Sequence, residues 1–382
     1  MKRRQLPALA AVAALSLAAC GSDDSSSPTS EPSEMADTTE APMETMDTTM
    51  DTMAPMDTTM DTTMDTTMDT TMDTSAPATD APATTIAEEP SGSESITIGD
   101  EVRPIGDQPN GTNMLMSTRS FDETVSEAVA AIEGNEALTL VATIDHSANA
   151  ASVGMELPPT TELIFGNPEL GSQLMLENNG AGLDLPQKML ILEDESGGVR
   201  VYWNDPTYIS SRYGLGPATV EVQSTIGTAL TTLGQTAAGT EDAPEYAFPT
   251  IGVGEGIVEV SASGTAREAA DRLLAAIDSN EALVLVAEVD HTANAASVGF
   301  ELPPTIEVIF GNPELGTPMM RESRTAGLDL PQKMLFVEGA DGVTITYNSP
   351  AEIAQRHGIP TEAETVLTVT GALEMLASNA AG

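Results

Sequence analysis

The chain has 382 residues and a formal net charge of −45. This acidity excludes a nucleic-acid-binding protein, because phosphate recognition needs clustered Lys and Arg. At about 100–200 residues per domain, the length suggests two or three domains. Cys20 is the single cysteine, so an internal disulfide is excluded and the folded part must be held by its core.

The first twenty residues have the pattern of an export signal. Three basic residues at positions 2–4 precede an apolar stretch at residues 6–19, which is shorter than the roughly 20 residues of a membrane-spanning helix. The stretch ends in LAAC, with Cys20 last, and resembles the lipobox of bacterial lipoproteins, whose cysteine is lipidated. We therefore predict a protein anchored to the cell membrane by a lipid on Cys20, on the extracytoplasmic face. The alternative is an ordinary signal peptide with a cysteine near its cleavage site.

Residues 21–94 are predicted to form a disordered, acidic tether. They contain mainly Ser, Thr, Pro, Asp and Met, with 18 acidic and no basic residues, and cannot bury enough apolar surface to offset chain entropy. As a random coil they would span roughly 45–50 Å. Two other interpretations stay open. One is a stalk carrying O-linked sugars, and the other is a Cu(I) sink formed by the ten methionines from Met35 to Met72.

Beyond the tether, one domain occurs twice. Residues 135–190 align without gaps with residues 280–335, and 42 of these 56 positions are identical. The heptapeptide FGNPELG, for example, occurs at residues 165–171 and again at 310–316. Two copies are too few for a solenoid, and each copy is long enough to bury a core. We predict a first domain at residues 95–237, a linker at 238–254 and a second domain at 255–377.

Both copies show the same pattern of strands and helices. A short strand at 113–117 precedes a helix capped by Ser120, with apolar residues at helical spacing. Residues 138–144, rich in Leu and β-branched side chains, predict a mostly buried strand. A short helix at 147–153 and strands at 162–165, 188–192 and 199–203 follow. Three further helices are expected: one begins at FGNPELG with Asn167 as N-cap, one opens at Asp205-Pro206, and the last spans 220–233.

This element order predicts an α+β fold with an antiparallel sheet and helices on one face. Three motifs occur in sequence, F-G-N-P-x-L-G, L-D-L-P and Y/W-N-x-P, preceded by D-H and E-L-P-P-T. Together they resemble the domain-of-unknown-function 302 family over residues 113–213 and 258–357. The resemblance implies a TATA-binding-protein-like β-α-β(4)-α fold without an established activity. Because single-domain members pair as homodimers, it also implies that the tandem could fold into an intramolecular pseudo-dimer. The lead-in at residues 96–108 departs from the family pattern.

Few residues of the repeats are candidates for chemistry. His146 and His291 occupy equivalent positions, each after an aspartate, and could act as acid or base with Asp184 and Asp329 of the LDLP motifs. Asn167, Asn204, Asn312 and Asn348 are candidate ligand-binding residues. The structural alternative assigns Asp145, His146 and Asn167 to helix capping and Asp184 to the turn before Pro186. No metal site or cofactor is predicted, because hydrolase, P-loop and zinc motifs are missing.

The favoured function is therefore that of a lipoprotein presenting two tandem domains for binding a small ligand or a partner. One alternative is an enzyme with a His/Asp acid–base site in each repeat. The other is a structural scaffold without a ligand.

Overall fold

The computed structural model describes residues 101–382. The predicted signal peptide, the tether and Cys20 lie outside the described residues. Within the described part, two units with the same order of elements follow each other along the chain, and we refer to them as the first and second repeats.

The first repeat contains five strands and five helices. They are β1 (Thr112–Met116), α1 (Phe121–Glu133), β2 (Thr139–Asp145), α2 (His146–Ser152), β3 (Thr160–Gly166), α3 (Pro168–Glu177), β4 (Gln187–Glu193), β5 (Val199–Asn204), α4 (Pro206–Tyr213) and α5 (Val220–Ala238). A 3₁₀ segment at Asn179–Asp184 joins α3 to β4, and a short 3₁₀ turn at Pro217–Thr219 leads into α5.

The second repeat follows the same plan, after a two-residue strand β6 (Glu245–Tyr246) in the linker. Its elements are β7 (Ile257–Ala262), α6 (Ala266–Asp278), β8 (Val284–Asp290), α7 (His291–Ser297), β9 (Thr305–Gly311), α8 (Pro313–Glu322), β10 (Gln332–Gly339), β11 (Gly342–Asn348), α9 (Pro350–Arg356) and α10 (Glu364–Ala381). The matching 3₁₀ segment is Arg324–Leu328.

Each repeat builds its own antiparallel sheet. The strand order is β2-β3-β4-β5-β1 in the first repeat, where β6 adds to β1, and β8-β9-β10-β11-β7 in the second. Strands β2 to β5 therefore form a meander, and β1 pairs with β5 at the far side. The predicted α+β class with two tandem copies is confirmed.

Local sequence explains where the helices begin. Ser120 and Thr265 form capping boxes with Glu123 and Glu268, satisfying free backbone N–H groups in the first turns of α1 and α6. Asn167 Oδ1 accepts from the backbone nitrogens of Glu169 and Leu170, at 2.9 and 3.2 Å. The predicted caps of these helices are confirmed.

Helices cover one face of each sheet. In the first repeat, α1 and α5 contribute Ile132, Ile226 and Leu230, which pack on the strand residues Phe165 and Trp203. The second repeat has an equivalent core, in which Leu273 of α6 and Leu373 of α10 are buried beside Phe310. Burial of these apolar side chains supplies the main stabilisation of each layer.

The other face of each sheet is covered by the other repeat. The 3₁₀ segment Arg324–Leu328 lies on β3, β4 and β5, and Asn179–Asp184 lies on β9, β10 and β11. Leu328 accordingly packs against Leu190 of the first repeat. A second apolar contact joins Ile164 to Ile309. Both faces of both sheets are thus covered, and the contacts between the repeats are reciprocal.

One sequence prediction is wrong, and two features were not predicted. The strand at residues 138–144 and its equivalent are not mostly buried, because β2 and β8 are edge strands, and Val284 is 51% exposed. The linker contains a short strand, β6, that pairs with β1. The lead-in also has a contact that the sequence did not indicate: Arg103 forms a 2.8 Å ion pair with Glu322 of the second repeat.

The close approach of the repeats needs glycine in each 3₁₀ segment. A Cβ on Gly327 would lie 3.0 Å from Leu190 Cδ1 and 3.4 Å from the His146 ring, both in the first repeat. A Cβ on the equivalent Gly182 would lie 3.1 Å from Leu335 Cδ1 of the second repeat. These distances are shorter than ordinary carbon–carbon contacts.

We expect Gly327→Ala to lower the free energy of unfolding by about 1–3 kcal/mol, because the added methyl group overpacks the contact between the repeats. Gly371→Ala is the matched control, since a Cβ there meets nothing within 4 Å on the exposed side of α10. The control should be unchanged or stabilised by up to about 1 kcal/mol. Urea unfolding measures both, and equal stability of the two variants would contradict the close contact.

Candidate functional site

Two equivalent pockets lie in the described part of the chain. The first, of about 120 Å³, lies between β3, α3 and α5 of the first repeat. The second, of about 100 Å³, lies between the equivalent elements of the second repeat. Both are partly open to solvent. A dry protein cavity of roughly 150 Å³ accommodates benzene, so each pocket suits a ligand of about that size.

The duplicated motifs form most of both pocket walls. From FGNPELG, the residues Phe165, Gly166, Asn167, Pro168, Leu170 and Gly171 line the first pocket, and their equivalents line the second. From LDLPQ, Leu185, Pro186 and Gln187 do the same, with Leu330, Pro331 and Gln332 in the other copy. The helices α5 and α10 add leucines such as Leu230 and Leu373. The walls are therefore mainly apolar.

Each pocket is completed by the other repeat. His291 and Asn294 of the second repeat line the first pocket, while His146 and Asn149 of the first repeat line the second. This exchange follows from helix packing, since α7 lies against α3 and α2 lies against α8. Neither repeat by itself contains a whole site.

The polar groups in the pockets are few and uncharged. Neither lining includes Asp, Glu, Lys or Arg. Burial lowers the pKa of both His146 and His291 to about 4, so their imidazoles are neutral at pH 7. The amide atoms of Gln187 and Gln332 have no hydrogen-bond partner among residues 101–382.

The structure separates the histidines from the aspartates with which they were grouped. His146 faces Gly327 across the contact between the repeats, and Asp145 caps α2 through the backbone nitrogen of Ala148, at 2.8 Å. Asn167 lies in the first pocket, but the histidine beside it is His291, not His146. Asn312 likewise shares the second pocket with His146. The predicted grouping of His146, Asp184 and Asn167 in one cleft of a single copy is therefore not what the structure brings together.

Asp184 and Asp329 belong to a buried cluster of charges between the repeats. Arg212 Nη1 donates to Asp184 Oδ2 at 2.8 Å, and Tyr213 Oη donates to the same oxygen at 3.0 Å. Burial by itself would raise the pKa of Asp184, but Arg212 and the two nearby lysines lower it to about 2. Asp184 is thus a charged partner of Arg212, and no hydrogen bond from its carboxylate to the turn before Pro186 is present.

Asp329 has the equivalent contacts in the second repeat. Arg356 Nη1 donates to Asp329 Oδ2 at 2.8 Å, and His357 Nε2 lies 2.8 Å from the same oxygen. His357 therefore takes the place of Tyr213, with which it aligns in sequence. Burial opposes ionisation of Asp329, but Arg356, Lys188 and His357 hold its pKa well below its usual value.

Two lysines join the halves of this cluster. Lys188 of the first repeat lies 3.4 Å from Asp329 Oδ1 of the second, and Lys333 of the second lies 3.8 Å from Asp184 Oδ1 of the first. Lys333 also donates to the carbonyl oxygen of Leu183. Both lysines and both aspartates are buried. Each aspartate is paired with an arginine of its own repeat, and the lysine of the other repeat lies on its second oxygen.

Two glutamates complete the cluster without hydrogen bonds of their own. Glu162 and Glu307 are fully buried, and none of their carboxylate oxygens has a hydrogen-bond partner in the described structure. Burial raises the pKa of Glu162 well above its usual value. It also raises the pKa of Glu307 to about 8, although Lys333, 3.7 Å away, opposes the shift. We infer that Glu307 is largely protonated at pH 7.

The remaining predicted asparagines, Asn204 and Asn348, lie outside the pocket walls. Asn204 Oδ1 accepts from Arg356 Nη2 of the second repeat at 2.7 Å. Asn348 is equally buried, and its Oδ1 has no partner among the described residues. In the described part of the chain, no group of three or more His, Cys, Asp or Glu residues is arranged to hold a metal ion.

Comparison with known proteins identifies both repeats. The family model "Domain of unknown function DUF302" matches residues 114–233 and 258–376, together more than half of the chain. The chain belongs to the DUF302 family. A solved structure, that of an uncharacterized conserved DUF302 protein from Bacillus stearothermophilus, is 17% identical, with a TM-score of 0.31. The match covers 33% of this chain and 98% of the Bacillus chain.

Curated proteins from Brucella also contain a similar sequence. The fluoride-specific ion channel FluC 1 of Brucella suis biovar 1 is 40% identical over 107 residues, which is 28% of this chain and 42% of the relative. FluC 1 of Brucella abortus biovar 1 matches equally well, over 39% of its length. This chain thus spans about two fifths of the curated relatives it matches. Among residues 101–382, no helix has the length and hydropathy needed to cross a bilayer.

Sequence reasoning missed the charged and amide residues of the DUF302 contact. The predicted strands 162–165 and 188–192 begin at Glu162 and Lys188, each beside an almost wholly apolar run, and both residues recur in the second repeat as Glu307 and Lys333. Alternation along a strand was the available signal, since Glu162 shares a face with Ile164, and Lys188 with Leu190. Gln187 and Gln332 could have been found because LPQKML is identical in both repeats.

The pKa of Glu307 predicts a pH dependence of stability. The pKa of Glu307 in the folded protein is about 8, above its ordinary value of 4.5. The stability that the protonated Glu307 carboxyl group contributes is therefore fully present below pH 4.5. Its contribution is lost as the pH rises towards 8. We expect Glu307→Gln, which keeps a neutral side chain of the same shape, to reduce the loss of stability between pH 5 and pH 9 by at least about 1 kcal/mol.

Urea unfolding at pH 5, 7 and 9 measures this difference. Glu133→Gln, at an exposed position on α1, is the control and should retain the pH dependence of the unchanged chain. If Glu307→Gln shows the same pH dependence as the control, Glu307 is not the buried, protonated group inferred above.

Proposed function

We propose that this protein is an exported lipoprotein whose two DUF302 repeats bind a small, mainly apolar molecule in two equivalent pockets. The observation that carries the proposal is the location of the duplicated motifs. FGNPELG, LDLPQ and the DH-x-ANAA segment are separate in sequence, and the last comes from the other repeat, yet residues from all three line each pocket. Packing alone does not require such motifs to converge on an open cavity.

The composition of the pockets supports binding over structural support alone. Ligand sites are typically apolar concavities with a few well-placed polar groups. Each pocket here has apolar walls and one glutamine whose amide has no hydrogen-bond partner in the described structure. An unsatisfied buried polar group costs roughly 1–3 kcal/mol, and a ligand would offset part of that cost.

The enzyme hypothesis has less support. It needs His146 in contact with Asp184, but His146 faces Gly327, whereas Asp184 is held by Arg212 and Tyr213. The histidine that does contact Asp329 is His357, and both of these residues are buried outside the pocket walls. A neutral imidazole with a pKa of about 4 is also far from the value that suits a general base at pH 7.

The lipoprotein part of the proposal rests on the sequence. A basic start, an apolar stretch and LAAC occur in the order expected for lipid attachment at Cys20. The acidic segment at residues 21–94 would then hold the repeats away from an anionic membrane surface. We propose that the site of action is the extracytoplasmic face of the cell membrane.

Filling the pockets should abolish binding without harm to the fold. A Cβ on Gly171 would lie 3.9 Å from Leu185 Cδ1, and one on Gly316 would lie 4.0 Å from Leu330 Cδ1, so a Cβ at either helical position makes only ordinary van der Waals contacts. We expect Gly171→Leu to remove the first site and Gly316→Leu the second. Toluene binding, followed by chemical-shift changes, should fall from two sites to one in each variant and to none in the double variant.

Gly371→Leu is the matched control, because it makes the same change on the exposed side of α10, outside both pockets. It should keep both sites. The proposed function fails if toluene and other neutral benzene-sized molecules do not bind the unchanged chain. It also fails if they bind the double variant as well as the control.

The membrane anchor has its own test. Cys20→Ala should move the protein from the membrane fraction to the soluble fraction, because the lipid has no other attachment point among the cysteines. Fractionation and immunoblotting measure the distribution, with Ser22→Ala as a control that should stay in the membrane fraction. Membrane retention of Cys20→Ala would contradict lipid anchoring.

A further inference from the structure

The polar groups of the pockets restrict the chemistry of the ligand. Gln187 lies at the start of β4, where its backbone pairs with Phe165, and its side chain belongs to the wall of the first pocket. Both amide atoms are buried and without a hydrogen-bond partner in the described structure. Gln332 repeats this arrangement in the second pocket. A glutamine amide both donates and accepts hydrogen bonds.

The histidine of each pocket comes from the opposite repeat and is also uncharged. A neutral imidazole presents one donor and one acceptor. The ring of His146 lies beside Gly327 and that of His291 beside Gly182, where a backbone hydrogen bond opposes the lowering of each pKa by burial. Each pocket thus combines a neutral imidazole with a glutamine amide, and the amide can donate as well as accept.

No fixed charge is available to balance a charged ligand. Neither pocket lining contains an acidic or basic side chain. A carboxylate or an ammonium group would have to lose its hydration without an ion-pair partner, which is costly in an apolar site. Anions face a further barrier, since residues 95–382 hold 41 acidic and 11 basic residues.

We propose that each pocket selects an uncharged molecule with an apolar body and one head group that both donates and accepts hydrogen bonds, such as a carboxamide. The apolar body occupies the space between Phe165 and Leu230, and the head group bonds to the Gln187 amide and the His291 imidazole. Phe310, Leu373, Gln332 and His146 take these roles in the second pocket. This inference rests on the proposed function and adds the chemical class of the ligand.

Four small molecules share a benzene ring and differ in their head group: benzamide, toluene, benzoate and benzylammonium. Comparing their affinities measures what the head group adds to the binding of the ring. The full-length chain carrying Cys20→Ala is used, so that no detergent competes for the probes. Titrations followed by chemical-shift changes give the affinity and the number of sites. We expect benzamide to fill two sites and to bind at least tenfold more tightly than each of the other three.

Substitution of the glutamines tests the residues themselves. Gln187→Leu should leave one tight benzamide site, since Gln332 remains as an internal reference in the same molecule. In the double variant Gln187→Leu/Gln332→Leu, benzamide should lose at least tenfold in affinity, whereas toluene should bind as well as before or better. Gln355→Leu, at an exposed position on α9, is the control and should change neither affinity.

The outcomes show separately whether the head-group preference fails and whether binding of small apolar molecules fails. If toluene binds but benzamide shows no advantage over benzoate or toluene, the head-group inference is overturned and the apolar pocket stands. The same holds if the double variant binds benzamide as tightly as the unchanged chain. If none of the four probes binds, the proposed function fails together with the inference.

Discussion

The structure depends on one constraint: charged side chains buried between the two sheets must find partners across the contact between the repeats. Lys188 is paired with Asp329 and Lys333 with Asp184, so each repeat supplies the counter-charge for the other. A buried charge that loses its partner costs about 3–5 kcal/mol. A separated repeat would therefore present buried lysines and glutamates to solvent and leave one sheet face uncovered. The same contacts set the register of the two repeats, because the pairs form in only one alignment.

The pockets follow from that register. Docking of the sheets brings α7 against α3 and α2 against α8, which places His291 and His146 in pockets that the other repeat has built. Gly182 and Gly327 allow this approach, since larger residues would meet Leu335 and Leu190. Duplication within one chain thus gives two complete sites in one molecule. It also lets the copies diverge at equivalent positions. Tyr213 is bonded to Asp184 in the first repeat, and its equivalent, His357, is bonded to Asp329 in the second.

Much of the fold could be predicted because it is encoded locally. The caps at Ser120 and Asn167, the helical spacing of apolar residues and the runs rich in Leu and β-branched residues predicted the helices, the strands and the α+β class. Long-range pairing could not be predicted in the same way. The partners Lys188 and Asp329 are 141 residues apart, and no local pattern indicates which carboxylate a lysine will meet. The candidate histidines and Asn167 were found from the sequence as residues, but the exchange of histidines between repeats depends on packing alone.

The central claim is that the two repeats form one cooperative body, and differential scanning calorimetry tests it most directly. With both cores and all four paired charges sharing one contact, the protein should unfold in a single transition whose calorimetric and van't Hoff enthalpies agree. Two separate transitions, or a calorimetric enthalpy about twice the van't Hoff value, would show that the repeats unfold independently. That result would contradict the account.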